Sequence, residues 1–289
     1  MRERYKRTRW VAPVLATSIG LAACSSAPQT YALPPDPGAP LGVSAAPNAT
    51  PNGNGFDVSW PQCGQQLPID RSFGIVGMNT GVANRINPCL SEEFTWARGS
   101  SGDRGVKTQL YLVGEDPGPS YRGTRIEDWP KSGRNIAGDC NGSNSKACSF
   151  QYGFERARAT VKSTENILGI TSLGTVWIDI ESGTTGIWES NSPNDPTYAT
   201  PKEQANNTAA IEGFAAGIGK DAGIYSTQYQ FDQITGGVSS GRLANEPEWV
   251  AGAETMASCS TPFISGAEVT VVQFTRNSPA LDIDRLCPA

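Results

Sequence analysis

Val176-Trp177-Ile178-Asp179-Ile180-Glu181-Ser182 is the stretch that decides how this chain folds. Apolar and β-branched residues followed at once by loop residues predict a buried β-strand. Residues two apart in a strand share a face, so Asp179 and Glu181 point the same way. Trp177, Ile178 and Ile180 are large and apolar, which makes the strand a central one. Two acids on one face of a central strand are costly to bury. They either sit at an exposed strand end or pair with arginine, or they form a catalytic acid pair.

Outward from this stretch, strand-like and helix-like segments alternate. Strands are predicted at Gly55–Trp60, Phe73–Asn79, Val106–Val113, Gly223–Ser226, Glu248–Gly252 and Val269–Phe274. Helical spacing is present over Pro88–Arg98, Gln151–Leu168 and Gln204–Lys220, with a short helical piece through Tyr229-Gln230-Phe231. The stretch from 114 to about 150 is dense in Gly and Pro and reads as a long loop. Alternating elements predict a parallel α/β arrangement, and successive apolar positions fit strands buried on both faces. With about eight strands, the expected fold class is α/β: an irregular (β/α) TIM-like barrel, a single domain over residues 55–289. The late strands leave little room for helices, hence the irregularity. Functional groups of such barrels gather at the C-terminal strand ends, where Asp57, Asp179, Glu181 and Gln273 fall. No internal repeat and no dinucleotide or phosphate-loop pattern is present.

Residues 1–23 have the plan of a secretion signal. Arg2, Arg4, Lys6, Arg7 and Arg9 precede an apolar run from Trp10 to Ala23 that is short for a membrane span. Leu21-Ala22-Ala23-Cys24 resembles the bacterial lipobox, whose cysteine is lipidated and becomes the new N-terminus. Ordinary cleavage near Ala23 or Ala27 is the alternative. Residues 24–54 then form a Pro/Ala/Gly-rich tether too poor in large apolar residues to order itself. The expected location is the outer face of the cell membrane, with the lipid as the only membrane contact.

The cysteine count agrees with this plan. Seven is odd, and setting Cys24 aside leaves six, an even number suited to an oxidising exterior. Spacing suggests the pairs Cys63 with Cys89, Cys140 with Cys148, and Cys259 with Cys287, out of the many connectivities six cysteines allow. A metal cluster is the alternative, but no Cys-x-x-Cys occurs.

Composition removes whole classes of chemistry. With no histidine, Ser-His-Asp and Cys-His constellations and His-ligated zinc are out. Acid–base work falls to carboxylates, with Lys or Tyr behind them. The formal net charge is −5. It becomes −9 without residues 1–23, which hold five of the basic residues and one acidic one. So acidic a chain is a poor partner for nucleic acid or anionic lipid. No cofactor and no metal is expected.

The ordered motifs Gly55-Phe56-Asp57-Val58-Ser59, Trp177-Ile178-Asp179-Ile180-Glu181, Gly223-Ile224-Tyr225-Ser226, Glu248-Trp249-Val250-Ala251, Val272-Gln273-Phe274 and Leu281-Asp282-Ile283-Asp284 resemble the glycoside hydrolase family 25 lysozymes. Phe56-Asp57-Val58-Ser59-Trp60-Pro61-Gln62-Cys63 looks like secreted actinobacterial glycoside-hydrolase-like proteins. The resemblance covers Gly55 to Cys287. It implies a muramidase-type barrel acting on peptidoglycan, with Glu181 as the catalytic acid and Asp179 as the assisting carboxylate. It also implies acids at Asp57 on the first strand and Asp282 after the last strand, with Tyr225 and Gln273 near the cleft. The chain departs from the family in lacking its aromatic and histidine-containing strand motifs.

Chemistry gives independent support. Glycoside cleavage needs a protonated acid at the leaving oxygen and a negative group near the developing cation. Clustered like charges keep one member protonated. The same cluster is also suited to a hard cation such as calcium, and Asp57 or Asp282 taken singly suits a cap or turn. Trp60, Trp188 and Tyr225 are candidates for stacking on sugar rings, whereas Trp177 and Trp249 suit core packing. The expected function is a monomeric, lipid-anchored peptidoglycan hydrolase. A non-catalytic glycan-binding or structural envelope lipoprotein on the same barrel is the alternative. A transporter's solute-binding lipoprotein fits the anchor but not the motifs.

Overall fold

The computed structural model describes residues 53–120, 128–183, 186–191, 195–237, 241–274 and 281–288. The signal sequence, Cys24 and nearly all of the tether lie outside the described residues. Along the chain run β1 (Gly55–Val58), β2 (Phe73–Gly77), α1 (Leu90–Arg98) and β3 (Thr108–Val113). A small hairpin of β4 (Gly133–Asn135) and β5 (Gly138–Cys140) follows, then α2 (Lys146–Leu168), β6 (Val176–Asp179) and α3 (Pro201–Ile218). β7 (Ala222–Ser226), α4 (Gln228–Thr235), β8 (Glu248–Val250), β9 (Val269–Phe274) and β10 (Ile283–Leu286) complete the series.

Eight strands close a barrel in the order β1-β10-β9-β8-β7-β6-β3-β2. Neighbours from β1 through β9 run parallel. β10 is antiparallel to both β9 and β1, which corrects the all-parallel expectation. An antiparallel partner needs no crossover helix, so the few residues between Phe274 and Ile283 suffice to connect it. The β1–β10 seam is short, pairing Gly55 with Asp284 and Phe56 with Ile283.

Strand alternation sorts the core into two layers. Phe73, Ile75, Trp177, Tyr225, Trp249, Val271 and Leu286 fill the barrel. Their neighbours in sequence, including Val76, Leu110, Leu112, Ile178, Ile180 and Ile224, pack outward with Ala97, Tyr152, Ile211 and Phe214 of the helices. Trp177 fits inside because Gly223 stands opposite it in register, where a Cβ would lie 2.5 Å from the indole. α2 and α3 touch backbone to backbone. A Cβ on Gly153 would sit 2.1 Å from the Ala210 carbonyl, and one on Gly213 the same distance from that of Phe150.

Two helix starts differ most from the periodicity. α2 begins at Lys146, not Gln151, because the Ser145 hydroxyl caps it by accepting from the Cys148 N–H. α3 begins at Pro201, not Gln204, on a Thr200–Glu203 capping box. The Gly/Pro stretch read as loop therefore contains the β4–β5 hairpin and the first turn of α2. Disulfides join Cys63 to Cys89, Cys140 to Cys148 and Cys259 to Cys287. The first ties the turn after β1 to the start of α1, and the second ties the hairpin to α2. The third fastens the end of β10 to the turn before β9.

Candidate active site

The parallel strands end together at one mouth of the barrel. Because β10 runs against them, its first residues reach the same mouth. The ladder Gly55↔Asp284, Phe56↔Ile283 continues to put Asp282 opposite Asp57. Asp179 ends β6 and Glu181 lies two residues beyond on the same side. Asp57, Asp179, Glu181, Asp282 and Asp284 thus repel one another across the mouth.

Burial is the main cause of their altered acidity, and like charge adds to it. Asp57 is pushed up to about 6 by burial, with Asp282 adding to the rise against the pull of Gln273. Glu181 is pushed up to about 7 by burial and then by Asp57. Burial, Glu181 and Asp57 hold Asp179 well above the usual carboxylate range. Asp179 is only 6% exposed and its Oδ1 has no hydrogen-bond partner. Glu181 is the more exposed of the two.

Asp284 is the residue that sequence reasoning missed. It is fully buried, and its Oδ1 accepts from Trp249 Nε1 at 3.0 Å. Its other oxygen has no hydrogen-bond partner. Burial, followed by the charge of Asp57, raises Asp284 far above its ordinary value. The signal was present: Asp282-Ile283-Asp284 has the same alternation as Asp179-Ile180-Glu181.

Three residues expected to touch sugar do something else. Trp188 is 2% exposed, packed in the outer core with its Nε1 donating to the Glu181 carbonyl at 2.7 Å. It has no face to offer a glycan and instead fixes the backbone that bears Glu181. Tyr225 is buried against Trp249, ring centroids 4.2 Å apart, and its hydroxyl donates to Gln273 Oε1 at 2.9 Å. Gln273 is 4% exposed and passes the contact on, its Nε2 donating to Asp57 Oδ2 at 3.0 Å. Tyr225 and Gln273 are therefore internal struts of the acid cluster. Trp60 stands on the turn after β1 and is 46% exposed, so its ring is open to a ligand. Trp177 and Trp249 lie inside the barrel. Among the described residues no three metal-ligating side chains are arranged to hold an ion.

No protein-family model matches the chain, and no curated protein matches it. Solved structures do. A family GH25 lysozyme from Aspergillus fumigatus aligns with a TM-score of 0.50 at 13% identity, over 82% of this chain and 94% of that one. A muramidase from Acremonium alcalophilum gives 0.49 and 16% over the same shares. A bacterial lysozyme from Streptomyces coelicolor gives 0.45 and 16%, over 83% of this chain and 94% of its own. At such identities the likeness is one of fold: this chain is built on the same barrel as the Aspergillus GH25 lysozyme.

Proposed function

We propose that this chain is a glycoside hydrolase of the family 25 type that cleaves cell-wall peptidoglycan, with Glu181 as general acid. The observation that supports this best is the pairing at the mouth. Asp179 ends β6 and Glu181 follows two residues beyond on the same side, and Glu181 keeps its proton up to about pH 7 through burial and the neighbouring Asp57. An accessible acid that is protonated near neutrality is what a glycosidic leaving oxygen requires. Asp179 lies deeper in the barrel on the same side as Glu181, where its carboxylate form would face the developing oxocarbenium ion. Trp60 offers a ring for a sugar to stack on. The shared fold with a lysozyme accords with this chemistry.

The test is to incubate the purified protein with peptidoglycan and identify released fragments by mass spectrometry. New reducing ends at N-acetylmuramic acid are expected from the wild type and not from Glu181→Gln. Absence of fragments from the wild type on any peptidoglycan would leave only a glycan-binding role for the barrel.

The same proposal places the protein on the outer face of the membrane as a monomer. Residues 1–23 would be removed, Cys24 lipidated, and residues 24–54 would serve as tether. Leu21-Ala22-Ala23-Cys24 and the odd cysteine count support this. Metabolic labelling with a fatty-acid analogue should mark the wild type and leave Cys24→Ala unlabelled. Equal labelling of both would refute the anchor.

A further inference from the structure

Among the described residues six large apolar side chains are exposed: Trp60, Ile69, Ile136, Ile167, Tyr198 and Tyr229. The isoleucines are scattered, one ahead of β2, one at the tip of the β4–β5 hairpin and one at the end of α2. Single exposed apolar residues of that kind are ordinary. The three aromatic rings are not scattered. Each stands in a segment that follows the mouth end of a barrel strand: Trp60 after β1, Tyr198 after β6 and Tyr229 after β7. In the closed order of the barrel, β7 is four places from β1 in either direction. Trp60 and Tyr229 therefore belong to opposite lips of the mouth, with Asp57, Asp179 and Glu181 between the lips.

The lip formed after β6 and β7 is firmly built. Ser226 ends β7, and its hydroxyl donates at 2.7 Å to the carbonyl of Ile180, the residue between Asp179 and Glu181. Thr227 then caps α4 by accepting from the Gln230 N–H at 3.1 Å. α4 buries Phe231, Ile234 and Thr235, which leaves Tyr229 in its first turn 65% exposed. Tyr198 closes a turn of 3-10 helix, Pro196–Tyr198, that packs against α4 with Pro196 buried. Asp195 accepts from the Thr197 N–H at 3.1 Å, and Asn191 Nδ2 donates to the Tyr198 carbonyl at 3.2 Å. The Tyr198 ring is 60% exposed on this fixed backbone. Neither tyrosine belongs to a core cluster, so packing does not account for an aromatic ring at either place.

We propose that Tyr198 and Tyr229 form a second carbohydrate-binding surface, which stacks on the uncharged ring faces of a glycan strand lying across the mouth from Trp60 past Glu181. This rests on the peptidoglycan reading and adds the part of the substrate that the far lip holds. A sugar ring has an apolar C–H face and a polar rim, and a tyrosine matches it with an apolar face and a polar tip. An eight-stranded barrel is about 15 Å across. Only a strand several sugars long reaches both lips, so the two tyrosines select for polymer length.

The experiment is calorimetric titration with peptide-free peptidoglycan strands of one, two and four disaccharide units, using Glu181→Gln protein to prevent turnover. Added to that protein, Tyr198→Ala and Tyr229→Ala should each weaken binding of the longest strand about 3–10-fold and leave the single disaccharide unchanged. Tyr198→Phe and Tyr229→Phe keep the ring and should bind as the parent does. Ile136→Ala, exposed on the hairpin, should change nothing. Parent-like binding of the longest strand by both alanine variants would overturn the inference. So would an equal loss for the single disaccharide, a loss confined to strands that carry peptide branches, or a parent protein that binds no strand. Fragment release by the wild type, alongside alanine variants that bind long strands normally, would remove the inference and leave the hydrolase reading standing. Tyrosine-dependent binding without any fragment release would do the reverse.

Discussion

Two buried acidic regions of this molecule look alike by burial and differ by what surrounds each carboxylate. One is the barrel mouth, where acids face acids and Asp179 Oδ1 has no partner. The other lies outside the barrel, over α2 and α3, around Glu115, Asp116 and Glu189. There Glu115 and Glu189 are met by donors, although Asp116 Oδ2 has no partner, like Asp179 Oδ1. Tyr152 gives its hydroxyl proton to Glu115 at 2.6 Å, and Asn206 Nδ2 reaches Glu189 Oε2 at 2.8 Å. Asn144 holds the other oxygen of Glu189, and the Glu189 N–H donates to Asn207. Both regions raise their acids: burial followed by Glu189 pushes Asp116 up to about 7, matching Glu181. A raised pKa therefore does not by itself single out the candidate site. The two regions differ in how many donors reach their carboxylates.

The largest effect should come from breaking the mouth. Glu181→Gln keeps the shape, cannot deliver a proton, and should lose roughly 10²–10⁴-fold in rate on peptidoglycan with folding intact. Asp179→Asn should be severely impaired too, and the double variant should lose far less than the product of the two. A rate for Glu181→Gln equal to wild type would end the catalytic assignment.

In the other region the loss should appear in stability. Glu189→Ala strands the buried amide of Asn206 and the half-buried amide of Asn144 and should cost about 2–4 kcal/mol in urea denaturation. A neutral result would mean that the amides find other partners and the contrast between the regions is weaker than drawn.

pH should act on both at once. The raised acids bind protons in the folded chain above the pH at which the unfolded chain releases them. The folded state therefore holds more protons from the ordinary carboxylate range up to about 6 for Asp57 and about 7 for Glu181 and Asp116. Stability falls as pH rises through that window. The protein should be more stable at pH 5 than at pH 8, by on the order of a kcal/mol for each such group. Asp57→Asn and Asp116→Asn should each flatten the curve, and only Asp57→Asn should also shift the pH–rate profile. A curve rising toward pH 8 would contradict the assigned shifts.

The smallest change should come from the residue between the two regions. Trp188 stands beside Glu189 and holds the Glu181 carbonyl. Trp188→Phe keeps most of the packing and removes one hydrogen bond, worth about 1 kcal/mol. A loss of a few-fold in rate with little change in KM is expected. A loss as large as that of Glu181→Gln would mean that Trp188 does more than steady the backbone.

The barrel and the Asp179–Glu181 pair at the end of β6 were legible because both depend on period-two alternation along one extended stretch. Asp284 carried the same signal but sat in a strand of four residues that reads as a tail. The start of α2 was hidden because Ser145, its cap, lies among Asn, Gly and Ser that also suit a loop. Trp188 and Tyr225 were misplaced for another reason. Neither local pattern nor composition says whether an aromatic ring near a cleft faces outward, and only tertiary packing buried them. Gln273 was rightly sited near the acids, yet its two-sided contact joins strands far apart in sequence.

The β1–β10 seam has a mechanical consequence. A closed barrel has no free edge, so it must part at a joint before it can unzip, and this joint is short, with Gly55–Asp284 and Phe56–Ile283 as its paired residues. Cys259–Cys287 fastens β10 on its β9 side, so β10 would leave with β9 and bare the edge of β1. Asp57 and Asp284 lie on opposite lips of that joint. Transient breathing there would separate the two carboxyls and admit water between them, so amide exchange at Phe56 and Ile283 and the ionisation of the mouth should rise and fall together.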